Sequence, residues 1–312
     1  MSDNGLRQRK AATTQTKAMQ VDDGRHIIDK DNKNVDNDVP FILRPWVYFQ
    51  KALPPMICFG LNFSVTIFSM LFFALVKYAG TQLLLVNGWP AGTYETTFNV
   101  ACLVAMSHST VILIPLYKCM QLQPFVPTRR LSDSPLYWQL SSDALLQYCT
   151  GYMIQDSVFT LIRAYKVGYD PSDTVFLAHH FVTVSYMTQC RYLKAGHIST
   201  MLCIFAGEVT NPVMMVWYIT KNAVDSICCN GPRVAALFNA SEFIYAFMYF
   251  VVRALIMPLL VVYQFYDIWF TKQPNIPTSV SIYWSLCMLI VVLGSYDYIV
   301  DCWSILMTYI KA

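Results

Sequence analysis

The sequence has few charged residues. Asp, Glu, Lys and Arg make up 13% of its 312 residues, about half of the fraction usual in soluble domains. Apolar residues make up 55%. A water-soluble domain of this size needs a charged surface, so the composition excludes a soluble enzyme and a nucleic-acid binder with a basic groove. It indicates a chain that crosses a membrane several times.

Several chemical motifs are also absent. The sequence contains no P-loop, GxGxxG, HExxH or GxSxG, the signatures of phosphate binding, dinucleotide binding, zinc hydrolases and serine hydrolases. Its ten cysteines form no CxxC pair, and most lie in or beside apolar segments, where a small buried thiol is the usual role. We therefore expect no disulfide framework, no metal and no resident cofactor.

The charge that is present concentrates at the N-terminus. Sixteen of the 41 charged residues lie in the first 51 positions, and residues 1–40 hold no long apolar run. Such a segment cannot bury enough apolar surface to fold, so we expect a disordered tail. Lys and Arg are more frequent in the predicted loops on the same side as this tail, which predicts that the N-terminus is cytoplasmic.

Seven segments are long enough to cross a hydrocarbon core, which takes roughly 20 residues. We expect spans at 56–76, 98–116, 143–164, 174–193, 198–219, 243–266 and 280–300. Pro54-Pro55 suits the start of the first helix. We therefore expect residues 41–94 to contain the first span and the loop that follows it. The third and fourth spans are the least apolar. The predicted fold is all-α, a polytopic bundle of about seven spans around a lipid-accessible polar cavity.

Ionisable residues inside the predicted spans are informative, because charge at membrane depth is costly and often functional. Asp156 and Arg163 are seven residues apart and share one face of the third span. They form either a polar stripe in which Arg163 reaches the interface, or part of a functional cavity. The sequence leaves both alternatives open.

A histidine pair, His179 and His180, lies in the fourth span. Successive helical residues point about 100° apart, so we expect one imidazole to face a cavity while the other bonds a neighbouring helix. A single buried histidine is usually a hydrogen-bonded structural residue. The pair favours a functional role.

The fifth and sixth spans carry further polar residues. Glu208 and Asn211 share a face of the fifth span, and Pro212 should break or kink that helix. Arg253 is the basic residue at the centre of the strongly apolar sixth span, and we expect it to pair with Glu208, Asp156 or Asp297. Together the third to sixth spans predict a polar core that binds an amphipathic molecule, moves an ion or performs proton-assisted chemistry.

Four motifs resemble successive signatures of one family: GYMIQDSVF (151–159), FLAHHFVTVSYM (176–187), AGEVTNPVMMVWYI (206–219) and FMYFVVRALIMP (247–258). They are similar in order and spacing to the TLC domain, which is shared by translocating-chain-associated membrane protein, the longevity-assurance ceramide synthases and the neuronal-ceroid-lipofuscinosis cargo receptor. The resemblance covers about 95–310. It implies a helical bundle with a lipid-accessible cavity in the endoplasmic reticulum or another endomembrane.

The resemblance is closer to the TLC domain-containing proteins than to the ceramide synthases. In the synthases, the pair that matches His179 and His180 carries acyl transfer. A second motif there reads His-Asp-x-x-Asp, whereas this sequence reads Gly-Glu-Val-Thr-Asn over 207–211. The loss of the histidine and of the second carboxylate argues against ceramide synthesis.

Three functions follow as hypotheses. The first is a lipid-handling or lipid-homeostasis protein whose partners are membrane lipids, a sphingolipid or a fatty acyl chain, bound in the cavity. The second is an acyltransferase that uses His179 and His180 with acyl-CoA as co-substrate. The third is a membrane cargo receptor, whose protein clients the sequence does not identify. The sequence also leaves open whether the chain forms a homodimer.

Overall fold

The computed structural model describes residues 39–225, 231–271 and 276–311. The predicted disordered tail lies almost entirely outside these residues. The described residues from 40 onward form one compact helical unit, in which a single two-stranded hairpin is the sheet structure. The predicted all-α membrane bundle is confirmed.

The bundle begins with a short helix and a hairpin rather than with a span. Helix α1 covers Arg44–Ala52, and strands β1 (Ile57–Cys58) and β2 (Leu61–Asn62) pair antiparallel. Phe59 and Gly60, with φ of 50° and 77°, make the turn between them. Helix α2 therefore covers Ser64–Val86. The predicted helix start at Met56 was wrong, because the chain turns back on itself before the helix begins.

Helices α3 to α5 follow. Helix α3 covers Tyr94–Gln121, α4 covers Leu136–Val167, and α5 covers Pro171–Leu193. Asp170 caps α5, since its carboxylate accepts from the backbone N–H of Ser172 at 2.8 Å. The Asp173 side chain closes a capping box by accepting from the Asp170 N–H at 3.2 Å. The Ser172 hydrogen bonds hold the pKa of Asp170 below its usual value.

The predicted fifth span is broken in the middle. Helix α6 covers His197–Glu208 and α7 covers Asn211–Val224. Pro212 lies in the first turn of α7, where its missing N–H costs no helical hydrogen bond. The interruption that Pro212 predicts is thus present just after Glu208.

The predicted sixth span is one continuous rod with a wide turn inside it. Helix α8 covers Pro232–Tyr249, a π-helical segment covers Phe250–Ile256, and α9 covers Met257–Phe270. Pro258 follows the π segment, and a proline interferes with the hydrogen bond to the carbonyl four residues before it. Helices α10 (Thr278–Leu293) and α11 (Tyr296–Lys311) complete the described bundle.

Within the described ranges, five helical stretches are long and apolar enough to cross a membrane: Ser64–Val86, Tyr94–Gln121, His197–Val224, Pro232–Phe270 and Thr278–Lys311. Helices α4 and α5, the two least apolar predicted spans, have 32 and 23 residues and are long enough but carry more polar side chains. The chain is an integral membrane protein, and the count of seven spans stays a prediction.

Two contacts fix how the helices pack. Gly151 lets α4 approach α2 closely, because a Cβ at that position would lie 2.5 Å from the Thr66 carbonyl oxygen. On α9, the buried Asp267 carboxylate accepts from the Thr128 backbone N–H at 2.7 Å, and Gln264 of the same helix is fully buried. Polar side chains of α9 therefore point into the protein.

Candidate functional site

The two adjacent histidines face different neighbours. The Nε2 atom of His180 lies 3.7 Å from Oδ2 of Asp156, and its Nδ1 atom lies 3.2 Å from the Ser157 hydroxyl. His180 is buried between α5 and α4. It is the histidine that bonds the neighbouring helix, and Asp156 is its partner there.

His179 points to the other side of α5 and lines a cavity. The cavity volume is about 50 Å³. Its walls come from α4, α5, α6, α9, α10 and the π segment. Their apolar side chains include Met153, Val182, Ile204, Met257, Val261, Met288 and Val291, and their polar groups include His179, Thr183, Thr200, Glu208 and Arg253. Three of the predicted site residues thus meet at one apolar cavity.

Glu208 is held at the edge of this cavity by hydrogen bonds. Its Oε2 atom accepts from the Ser109 hydroxyl at 2.5 Å and from the Asn211 amide at 2.9 Å. Its Oε1 atom lies 3.6 Å from Nε2 of His108. Asn211 therefore supports the Glu208 carboxylate and does not itself line the cavity. Both carboxylate oxygens already have partners.

The role of His108 was not predicted from the sequence. This side chain is fully buried on α3, beside Glu208, and its ring stacks on that of Tyr152 with centroids 4.0 Å apart and planes 10° apart. The signal was present as a single histidine inside an otherwise apolar span. Its partner could not be predicted, because α3 and α6 are far apart in sequence.

Arg253 has no carboxylate partner among the described residues. Its Nη2 atom donates to the Gly207 carbonyl oxygen at 2.9 Å, its Nη1 atom lies 3.5 Å from the sulfur of Met257, and its guanidinium lies 5.4 Å from the Tyr249 ring centroid. The predicted ion pair with Glu208, Asp156 or Asp297 was wrong. The Asp156 carboxylate lies beside an imidazole, the Glu208 carboxylate is occupied by a hydroxyl, an amide and an imidazole, and Asp297 is exposed.

Arg163 lies apart from the cavity. It pairs with Asp173, at the start of α5, and its guanidinium lies 5.1 Å from the Tyr94 ring centroid. Asp156 and Arg163 share a helix face, as predicted, but neither lines the cavity. The polar-stripe alternative describes Arg163 better than a cavity role does.

A second polar cluster was also missed. The Nε atom of Arg191 donates to Asp143 at 2.7 Å, and Asp143 also accepts from the amides of Gln50 and Gln147 at 3.0 and 2.7 Å. The Gln147 oxygen accepts from the Val65 N–H at 3.2 Å. This cluster ties α1, α2, α4 and α5 together and has a structural role.

None of the described residues form a group of three or more His, Cys, Asp and Glu side chains placed to hold a metal ion. The cavity is lined instead by a guanidinium, a carboxylate and one imidazole together with many apolar side chains. Such a surface fits an amphipathic molecule better than an ion.

The comparison with known families agrees with the motifs. The profile of the TLC domain matches residues 62–308, a region that also includes α2, ahead of the 95–310 that the motifs cover. No curated protein and no solved structure matches the chain. Since the match extends over most of its length, the chain belongs to the TLC domain family.

Proposed function

We propose that this protein binds an acyl lipid, either a fatty acyl chain or a sphingolipid, in the cavity beside His179 and serves lipid handling or homeostasis. A TLC domain in a membrane protein of many helices fits a lipid-related function. The observation that carries the proposal is the cavity itself, which joins an apolar wall to a polar group of His179, Glu208 and Arg253.

The cavity must widen to accept an acyl chain. Its volume of about 50 Å³ is room for roughly three to five water molecules. Met153, Met257 and Met288 form part of the wall. Methionine side chains are flexible and adapt to irregular ligands, so a change of their rotamers is the simplest way in which the cavity accommodates a chain.

Lipid co-purification tests this proposal. The protein would be purified in a mild non-ionic detergent, and its bound lipids identified by mass spectrometry. Val291 lines the cavity and is half-buried, whereas Leu293 on the same helix is exposed. We expect Val291→Trp to fill the cavity and lose the lipid, and Leu293→Trp to retain it. Equal lipid in both variants would contradict the proposal.

An acyltransferase is the second candidate, favoured by the contact of His180 with Asp156. A carboxylate in this position orients an imidazole for general-base work. The test is acyl-CoA consumption with a sphingoid base, which should disappear in both His179→Ala and His180→Ala. Full activity in both variants would exclude this candidate.

The location in the cell is part of the proposal. We propose the endoplasmic reticulum or another endomembrane, with a cytoplasmic N-terminus. Fluorescence microscopy of a tagged chain and protease protection of an N-terminal epitope in sealed vesicles test the two points. An epitope that is protected in vesicles with their cytoplasmic face outward would contradict the orientation.

A further inference from the structure

We propose that the cavity selects lipids whose head group is anionic, a carboxylate or a phosphate, and that Arg253 binds this group. The inference rests on the proposed function, because it concerns the same cavity. It adds the chemical class of the head group, which neither the family nor the apolar wall determines.

Arg253 has fewer hydrogen-bond acceptors around it than its guanidinium has donors. A guanidinium has five N–H donors. In the described structure one nitrogen donates to the Gly207 carbonyl and another faces the Met257 sulfur, which is a weak acceptor. The buried Nε atom has no partner among the described residues. Arg253 is 9% exposed, so water does not readily supply the missing acceptors.

The positive charge of Arg253 also favours an anionic ligand. A buried cation at membrane depth is expensive unless an anion compensates it. Glu208 also lines the cavity, but its two oxygens are used by Ser109, Asn211 and His108. No carboxylate among the described residues forms an ion pair with Arg253. An anionic ligand would supply both the charge and the acceptors.

The backbone that carries Arg253 is unusual. This residue lies in the middle of the π segment Phe250–Ile256, and π-helical turns are rare and often occur at functional sites. On α6, the Gly207 carbonyl oxygen accepts a hydrogen bond from Nη2 of this guanidinium at 2.9 Å. The local structure thus holds the guanidinium against the wall of the cavity.

The chemistry of the guanidinium favours an anion over a neutral head group. Its planar donors match two oxygens of a carboxylate or phosphate at once. A fatty alcohol or a ceramide offers only neutral hydroxyl and amide groups. The acyl chain of either would pack against the apolar wall, but the charge of Arg253 would stay uncompensated.

A binding experiment with four ligands tests the inference. The full chain in a non-ionic detergent is titrated with a fatty acid, an alkyl phosphate, a fatty alcohol and a ceramide of equal chain length, each displacing a fluorescent acyl probe. We expect the fatty acid or the alkyl phosphate to bind at least about tenfold more tightly than the alcohol, as a charge-assisted hydrogen bond allows. Whichever of the two anions binds more tightly identifies the carboxylate or the phosphate as the source.

Three variants locate the effect. In Arg253→Met the preference for the anion should disappear while the alcohol still binds. Arg253→Lys keeps the charge but not the planar donors, so part of the preference for the anion should remain. This variant replaces Arg253→Met in the test if the methionine variant does not fold. Arg233 is exposed on α8, so Arg233→Met removes an equal charge outside the cavity and should leave the preference unchanged.

The outcomes separate this inference from the proposed function. If none of the four ligands binds, the proposed function fails. If acid, phosphate and alcohol bind equally to the wild-type chain, the head-group inference fails and the proposed function stands. If the preference survives in both Arg253 variants, another group binds the anion and the assignment to Arg253 is overturned.

Discussion

Two regions of the bundle differ in whether their buried charged residues are paired. Around α4 the charges are paired, since Arg163 binds Asp173 and Asp156 lies beside His180, and the contact of Gly151 with α2 leaves no space. Around α6 and the π segment there is a cavity, and Arg253 has no carboxylate partner among the described residues.

The difference separates polar residues that stabilise the fold from those that bind a ligand in the proposed function. A paired charge in a filled region stabilises one arrangement of helices, and its loss leaves the partner buried and unpaired. An unpaired charge beside a cavity costs stability in the absence of a ligand. The two regions should therefore respond differently to the same kind of substitution.

Removal of the two buried arginines should give the largest difference. Arg163→Met leaves Asp173, which is fully buried, without its partner, so we expect the free energy of unfolding to fall by about 3–5 kcal/mol. Arg253→Met strands no paired carboxylate and should lower it by less than about 1 kcal/mol, or raise it. Unfolding by sodium dodecyl sulfate, followed by circular dichroism in mixed micelles, measures both.

A double variant is the control for this comparison. Arg163→Met with Asp173→Asn removes both charges and keeps an acceptor for the Asp170 N–H. It should recover most of the stability that the single variant loses. An equal loss of stability in Arg163→Met and Arg253→Met would show that pairing does not distinguish the two regions.

Substitution of two glycines by alanine should give the next largest difference in the free energy of unfolding. Gly151→Ala places a Cβ 2.5 Å from the Thr66 carbonyl oxygen, and such overpacking costs about 1–3 kcal/mol. Gly207→Ala meets only Arg253 Nη2 at 3.8 Å. A helical alanine there should stabilise by about 0.5–1 kcal/mol relative to glycine. The same unfolding titration measures both variants. If both substitutions change the free energy of unfolding in the same direction, the predicted contrast between the two glycines is wrong.

The cap of α5 should give the smallest effect. Asp170→Ala loses the acceptor for the Ser172 N–H and should cost about 1 kcal/mol, whereas Asp170→Asn keeps it and should cost less. The pKa of Asp170 is lowered in the folded chain. Its contribution is therefore complete above the unfolded pKa near 3.9 and is lost as the pH falls through the lower folded value. Unfolding of the wild type and of Asp170→Asn at neutral and acidic pH measures this difference.

The sequence predicted the parts of this structure that depend on local pattern. Apolar runs located the helices, Pro212 located the break after Glu208, and the angle between successive residues separated His179 from His180. The resemblance of four short motifs identified the family. These features depend on a few neighbouring residues, so a single sequence contains them.

The features that were missed depend on contacts between distant segments. The pairing of His108 with Glu208 needs α3 beside α6, and that of Arg191 with Asp143 needs α5 beside α4. Arg253 was assigned a carboxylate by charge alone, without the knowledge that hydroxyls, amides and imidazoles already occupy the nearby carboxylates. The hairpin at Phe59 was missed because the apolar run over residues 56–61 also suits a helix.

The π segment has a consequence for the whole rod Pro232–Phe270. Its α8 portion packs on α7 and α11, while its α9 portion packs on α6 and α10. Each residue added to a turn rotates everything after it by about 100°, so the wide turn sets the two portions to different rotational phases. A uniform α-helix would keep one phase and would turn Asp267 away from Thr128 and Gln264 away from Ser199. The rod thus works as two helices with separate faces, joined without a loop.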